Sequence, residues 1–305
     1  MTHAAVLDRK PVPSRWLIGR AELALIGITI LWGGTFLIGH GAVTHSGPLY
    51  FVGLRFGTAA LLTLPLAAPL LRGMTLRELW AGLVIGLGIF AGYTLQTWGL
   101  QTISSSSSAF ITAAYVPLVP VLQWIILRRR PRLASWIGVV LAFVGLLLVA
   151  APQDGVKMGK GELITLVSTV PIALEIIFIS LFAGSVNILR VTVVQLAVTS
   201  LLAFACMMPV GEAIPPFSWA VVIAACGLGA MTAIIQLVMN WAQRTVSPTR
   251  ATLIYAGEPV WAGIIGRIAG DRLPPMALLG GALIVAAVIV SELRLGKQAD
   301  GPSPA

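Results

Sequence analysis

The sequence predicts an all-α integral membrane protein, with ten transmembrane helices in two inverted five-helix repeats. Three observations predict it. Of 305 residues, 57% are hydrophobic and only 10% charged, with a mean hydropathy of +0.94, whereas soluble domains carry about 25% charged residues. Apolar runs of about 20 residues recur between Gly, Pro, Ser and charged breaks, and roughly 20 helical residues cross a hydrocarbon core. Motifs of the first half also return in the second at nearly constant spacing. The runs must be helical, because lipid cannot satisfy open strand edges.

Taken in order, the runs place spans at 21–42, 48–71, 78–101, 106–127 and 133–151, then at 162–184, 188–210, 218–242, 248–270 and 276–293. Residues 1–20 and 294–305 are left as terminal segments, and the repeats occupy 21–151 and 162–293. No cleavable signal peptide is expected, since Arg9, Lys10, Arg15 and Arg20 precede a full-length span. The net charge of +9 does not indicate nucleic acid, because the basic residues cluster between spans, as in RRRPR at 128–132. Fifteen Lys and Arg fall on the N-terminal side of the membrane and four on the other, with Arg55 inside a span. Positive charge marks the cytoplasmic side, so both termini are expected inside, in the cell membrane (the inner membrane of a Gram-negative source). Cys206 and Cys226 lie within apolar runs and are expected as ordinary buried thiols.

The halves correspond. GLGIFAG (86–92) recurs as GLGAMTA (227–233), WGLQTIS (98–104) as WAQRTVS (241–247), and AFITAAYVP (109–117) as ATLIYAGEP (251–259), while Gly138 answers Gly280. The offsets are 141, 143, 142 and 142. Four matches in order indicate a duplication. With five spans per repeat, the second copy must enter the membrane from the opposite side, as in many secondary transporters with a site between their halves.

Candidate site residues follow from polar groups and breaks inside the spans. Pro259 removes an amide donor and leaves the carbonyl of Tyr255 without its helical partner. Pro117 does the same to Ala113, and Pro120 to Val116. Paired interruptions in corresponding helices point to a midplane site, against the alternative of ordinary kinks. An ionised carboxylate within the bilayer must be paired, protonated or facing water. Glu258 is therefore expected to face the bundle interior, with Tyr255 and Trp261 on its face. It is read as an acid that meets a substrate ammonium or a proton, or else as an interhelical hydrogen-bond partner. Glu175, four residues after Pro171, is a second such acid, serving a proton, a cationic group or the packing. Arg55 either holds a substrate carboxylate through its fork of donors or snorkels to a helix end; its counterpart in the second repeat is roughly Gln195.

Trp32, Tyr93, Tyr115 and Tyr255 lie deep enough to line a cavity, joined by Gln96 and Asn240. Trp98 and Trp241 stand where interfacial belts form. Ser104 to Ser108 open span four, as helix caps or as a plain turn. Gly88 and Gly92, spaced GxxxG, permit close helix contact or gliding.

LWGGTFLIG (31–39), GLRFGTAALL (53–62) and EPVWAGIIGRIAGDRL (258–273) resemble the EamA-type members of the drug/metabolite transporter superfamily, and the chain looks most like the YddG-type aromatic amino-acid exporters. The resemblance implies ten helices, inverted repeats, termini inside and export of small metabolites or drugs. Two departures stand out. Gly270-Asp271 replaces the Gly-Glu common in the family, and the first repeat has Arg128 to Arg130 in place of that acid.

An intramembrane enzyme is disfavoured, because HExxH and GxSxG are absent and no His follows His45. No GxxxxGKS/T run is present either, so ATP is not the expected drive, and no cofactor or metal is expected. A phosphorylated cargo would need several cations in a low-dielectric site, yet 19 of 20 basic residues flank the spans. A zwitterion with an aromatic or large apolar side chain suits the expected wall better. The expected function is alternating-access export of aromatic or other neutral amino acids, with aromatic cations also fitting. Two intramembrane carboxylates leave proton coupling open. The alternatives are another drug or metabolite exporter of the superfamily, and a channel or receptor.

Overall fold

A computed structural model describes residues 19–43, 46–103, 105–150, 159–258, 260–261 and 275–292. Among the described residues every regular element is a helix. In chain order these are α1 (Arg20–Val43), α2 (Pro48–Leu71), α3 (Leu76–Leu100), α4 (Ser105–Thr112), α5 (Tyr115–Leu127) and α6 (Leu133–Ala150). The second half contributes α7 (Lys160–Phe182), α8 (Ile188–Val210), α9 (Trp219–Ala242), α10 (Pro248–Tyr255) and α11 (Pro275–Glu292). Five of them, α2, α3, α7, α8 and α9, are each long and apolar enough to cross a bilayer.

Local chemistry sets the helix ends. Pro48 opens α2 at a position where no amide partner exists to lose. Thr75 and Glu78 close a capping box at the start of α3. The Asn187 side chain accepts from the amides of Leu189 and Arg190 ahead of α8, which stops at Gly211 in the left-handed region, φ 76°. Ser247 caps α10 and Pro248 follows it. Between these polar ends the outward faces are apolar, with Leu61, Leu66, Ile125, Val140 and Ile223 exposed, while Thr, Gln and Glu side chains are buried. Polar groups inside and hydrocarbon outside is the arrangement that lipid solvation requires.

Helix ends agree with the sequence reading to within two residues, except in two spans. Span four is not one helix. It breaks at Ala113–Ala114 into α4 and α5, where Val116 N bonds Ala113 O at 3.0 Å in place of a full α-turn. Pro117 has no amide to offer that carbonyl, so the turn tightens instead. Span nine breaks likewise at Ala256–Gly257, and Glu258, Val260 and Trp261 are helical again beyond it. Pro259, Arg267, Asp271 and Arg272 lie outside the described residues.

Packing between the halves is two-fold. α3 on α7 is matched by α9 on α1, α3 on α8 by α9 on α2, and α4 on α7 by α10 on α1. α2 packs on α8, and α6 on α11. Each such pair maps onto the other when the halves are exchanged, which is what a duplicated, inverted unit produces. Two glycines permit close approach at equivalent places: a Cβ on Gly86 would stand 2.8 Å from the Gln195 carbonyl, and one on Gly229 would stand 2.7 Å from that of Arg55. Arg55 and Gln195 thus occupy equivalent places, as the sequence reading had it. The glycines lie 143 positions apart, as Trp98 and Trp241 do, not 141. An uninterrupted helix cannot change register, so α3 and α9 align at 143 throughout. Gly88 and Gly92 pack against Glu175 and Ile172 of α7.

The thiols correct one expectation. Cys206 is half-buried and Cys226 exposed; both stand on faces turned to lipid, where hydrocarbon and not protein covers an apolar side chain.

Candidate functional site

A cavity lies between helices of both repeats, with about 750 Å³ of atom-free space, its open mouth included. Trp32 and Thr35 enter from α1, Arg55 from α2, Tyr93 and Gln96 from α3, and Thr112 and Tyr115 from either side of the α4–α5 break. Glu175 of α7, Met239 of α9, Tyr255 of α10 and Glu258 beyond the second break complete the wall. Both interrupted helices therefore meet the cavity at their interruptions.

Arg55 is 9% exposed. Its Nε donates to Thr232 Oγ1 at 2.8 Å, and the guanidinium carbon stands 5.1 Å from the Tyr93 ring centre and 5.6 Å from that of Phe56. Aromatic faces stabilise a desolvated cation in this range. Glu175, 3% exposed, accepts from Gln236 Nε2 at 2.9 Å. Glu258 presents a buried Oε1 with no hydrogen-bond partner among the described residues. The ion pairs among the described residues are Arg190–Glu78 and Arg250–Glu22, so Arg55 stands within 4.0 Å of neither cavity carboxylate. Among the described residues one cation and two acids share this low-dielectric space without a contact ion pair between them, and a buried unpaired charge is costly.

The aromatic wall is ordered by edge contacts. Trp32 meets Tyr255 at 5.1 Å and Phe56 meets Tyr93 at 5.0 Å, both T-shaped. The Tyr255 hydroxyl accepts from Gln243 Nε2 at 3.4 Å, and Gln96 Nε2 donates to Thr112 Oγ1 at 3.0 Å.

Eight of the sequence-derived residues thus line one space: Trp32, Arg55, Tyr93, Gln96, Tyr115, Glu175, Tyr255 and Glu258. Asn240 does not join them. Its Nδ2 bonds Thr192 Oγ1 at 3.1 Å and Gln195 Oε1 at 3.2 Å, inside the α8–α9 contact. Helical spacing places it on the inner side of α9, but the neighbouring α8 reaches it before the cavity does. Trp261, Pro117 and Pro120 are also absent from the wall; Pro117 acts through the break, and Pro120 sits inside α5. The sequence reading missed Gln236, which joins Glu175 to Gln195 (Gln195 Nε2 to Gln236 Oε1, 2.7 Å), and Thr232, which orients Arg55. A polar side chain in an apolar run was the available signal for both.

The two ends of the bundle differ. Lining residues Gly39, Thr97 and Leu100 belong to the last turns of α1 and α3, so the cavity extends toward that end. The other end, which carries Arg128 to Arg132, is cross-linked. Arg250 pairs with Glu22 at 2.9 Å, Thr249 Oγ1 donates to Gln123 Oε1 at 2.9 Å, and Arg190 reaches Glu78 at 3.0 Å. Arg244 donates to the carbonyls of Ala183 and Val186. These contacts join α1 to α10, α5 to α10, α3 to α8, and α9 to the end of α7.

Comparison with known proteins agrees with this architecture. The model of the EamA-like transporter family matches residues 19–151 and 159–293. An "Uncharacterized transporter" of Archaeoglobus fulgidus is 28% identical over 287 residues, covering 90% of this chain and 86% of the relative. The "Uncharacterized inner membrane transporter YedA" of Escherichia coli strain K12 is 27% identical over 282 residues, covering 90% of each. A solved crystal structure superimposes with a TM-score of 0.74 at 20% identity, over 90% of this chain and 98% of that one, which shows that the fold recurs. Matched by the family model in both halves, the chain belongs to the EamA-like transporter family, and it is a membrane-embedded secondary transporter of small metabolites.

Proposed function

We propose that the chain exports zwitterionic metabolites with aromatic or large apolar side chains, aromatic amino acids foremost, by alternating access. The carrying observation is the unpaired Arg55, Glu175 and Glu258 around one aromatic-walled cavity. A substrate carboxylate meets the Arg55 fork, its ammonium meets Glu258, and its ring packs on Trp32, Tyr93 or Tyr115. This supports the narrower likeness to the YddG-type exporters. A sugar phosphate fits poorly, since it brings about two negative charges to a wall with a single cation among the described residues. The excess of acid over base favours aromatic cations as second substrates.

In this reading both termini are cytoplasmic, and Glu175 or Glu258 carries a coupling proton. The cross-linked basic end is then the closed inner gate, and the cavity faces outward. Uptake of labelled phenylalanine into proteoliposomes, set against a labelled sugar phosphate, tests the cargo. Saturable phenylalanine flux is expected, and sugar-phosphate exchange without it would overturn the reading. Single cysteines at positions 130 and 214, in a chain lacking Cys206 and Cys226, test the orientation. Labelling of both from one face would refute it.

A further inference from the structure

The basic end holds a second cavity that shares no residue with the central one. Arg130 and Arg132 of the α5–α6 turn and Ser135 of α6 face Ser247, ahead of α10, and Thr249 and Arg250 in its first turn across about 790 Å³ of atom-free space, its mouth included. It therefore takes one wall from each repeat. No acid among the described residues lines it; Glu22 reaches its edge by holding Arg250 at 2.9 Å. Arg130 and Arg132 are exposed and form no ion pair among the described residues. Three guanidinium groups and three hydroxyls around one polar hollow match the oxygens of a phosphate group.

The surroundings decide where that phosphate comes from. The helices that frame the hollow expose large apolar side chains next to it: Trp124 and Ile125 at the end of α5, Leu133 and Ile137 at the start of α6. The Arg130 guanidinium carbon stands 5.2 Å from the Trp124 ring centre, so a cation and an amphipathic ring stand where polar and apolar surface meet. A free phosphate would use the arginines and leave this apolar margin unused. A lipid uses both. We propose that this hollow binds the phosphate headgroup of an anionic lipid, with the acyl chains laid along the exposed faces of α5 and α6. Because the headgroup touches both repeats at the cross-linked end, its binding favours the conformer described here.

The test is thermal unfolding of the full chain in uncharged detergent, titrated with phosphatidylglycerol, phosphatidylcholine or inorganic phosphate. Phosphatidylglycerol is expected to raise Tm saturably and phosphatidylcholine to leave it unchanged. The double variant Arg130→Gln, Arg132→Gln should need about tenfold more phosphatidylglycerol, because each basic residue beside a headgroup contributes appreciably. The control Arg72→Gln, Arg77→Gln removes the same charge from exposed positions just after α2 and in the first turn of α3 and should titrate as the unmodified chain does. Ser135→Phe fills the hollow with every arginine kept, and should lose the response as the arginine pair does. Equal weakening in both double variants would reduce the effect to general electrostatics and overturn the site. So would a retained response in Ser135→Phe. A full shift with inorganic phosphate, to which phosphatidylglycerol adds nothing, would overturn the lipid assignment.

Discussion

Replacing Arg55 by glutamine removes the one cation that the described residues place on the wall of the central cavity while keeping an amide donor near Thr232. If the Arg55 fork holds a substrate carboxylate, the variant loses at least one charge-assisted hydrogen bond in a buried site. Such a bond contributes about 1.5–3 kcal/mol, and each 1.4 kcal/mol or so is tenfold in affinity, so binding should weaken about 10- to 150-fold. Arg55 also packs on Tyr93 and Phe56, so a loss of activity alone would not separate recognition from structure. A pair of competitors does. Phenylalanine and phenethylamine differ by the carboxylate, and both can be titrated against labelled phenylalanine in proteoliposomes. The half-inhibitory concentration of phenylalanine should rise by the stated factor in Arg55→Gln, while that of phenethylamine shifts by less than about threefold. Equal weakening of both ligands would refute carboxylate recognition and leave Arg55 with a packing role.

Three further outcomes follow from the same structure. Gly229→Ala brings a methyl to 2.7 Å from the Arg55 carbonyl, whereas Gly227→Ala meets nothing within 4 Å; the first should cost about 1–3 kcal/mol by overpacking and the second should leave Tm unchanged or raised. Glu78→Ala takes the acceptor from Thr75 N, Asn187 N and Arg190 together, and the loss of these half-buried bonds, about 0.5–1.5 kcal/mol each, should appear as a lower Tm in detergent. If Glu258 carries the coupling proton, Glu258→Gln should abolish stimulation of transport by an imposed pH gradient and keep counterflow exchange, with Glu175→Gln retaining both; the reverse pattern assigns coupling to Glu175.

Helix positions were legible because lipid leaves the backbone few choices, so the apolar runs alone set most boundaries. The interruption of span four was half legible. Pro117 announced a missing hydrogen bond, but the turn formed at Ala113–Ala114, where the orphaned carbonyl lies, and not at the proline itself. Asn240 and Gln236 show what spacing could not resolve. Both are polar residues of α9, one spent on α8 and the other on Glu175, and only the placement of the neighbouring helices tells the two apart. Cys226 is the same lesson turned outward, since a run that is apolar all round does not say which side meets lipid.

The two interruptions also change what a mutational survey of this cavity can detect. Where a helix stops, its last carbonyl oxygens lose their partners, and where the next one starts, its first amide hydrogens are free. Those ends carry roughly half a negative and half a positive charge respectively. Thr112 and Tyr115, on the two lips of the first interruption, both face the cavity, as do Tyr255 and Glu258 on the lips of the second. Turn bonds across the breaks occupy the carbonyls of Ile111, Ala113, Thr252 and Ile254, and the main-chain groups those bonds leave over form a dipole at each pair of lips. No side-chain substitution deletes those groups. Alanine replacement around the wall will therefore account for only part of the affinity, and the remainder should answer to prolines that move the interruptions along the helix.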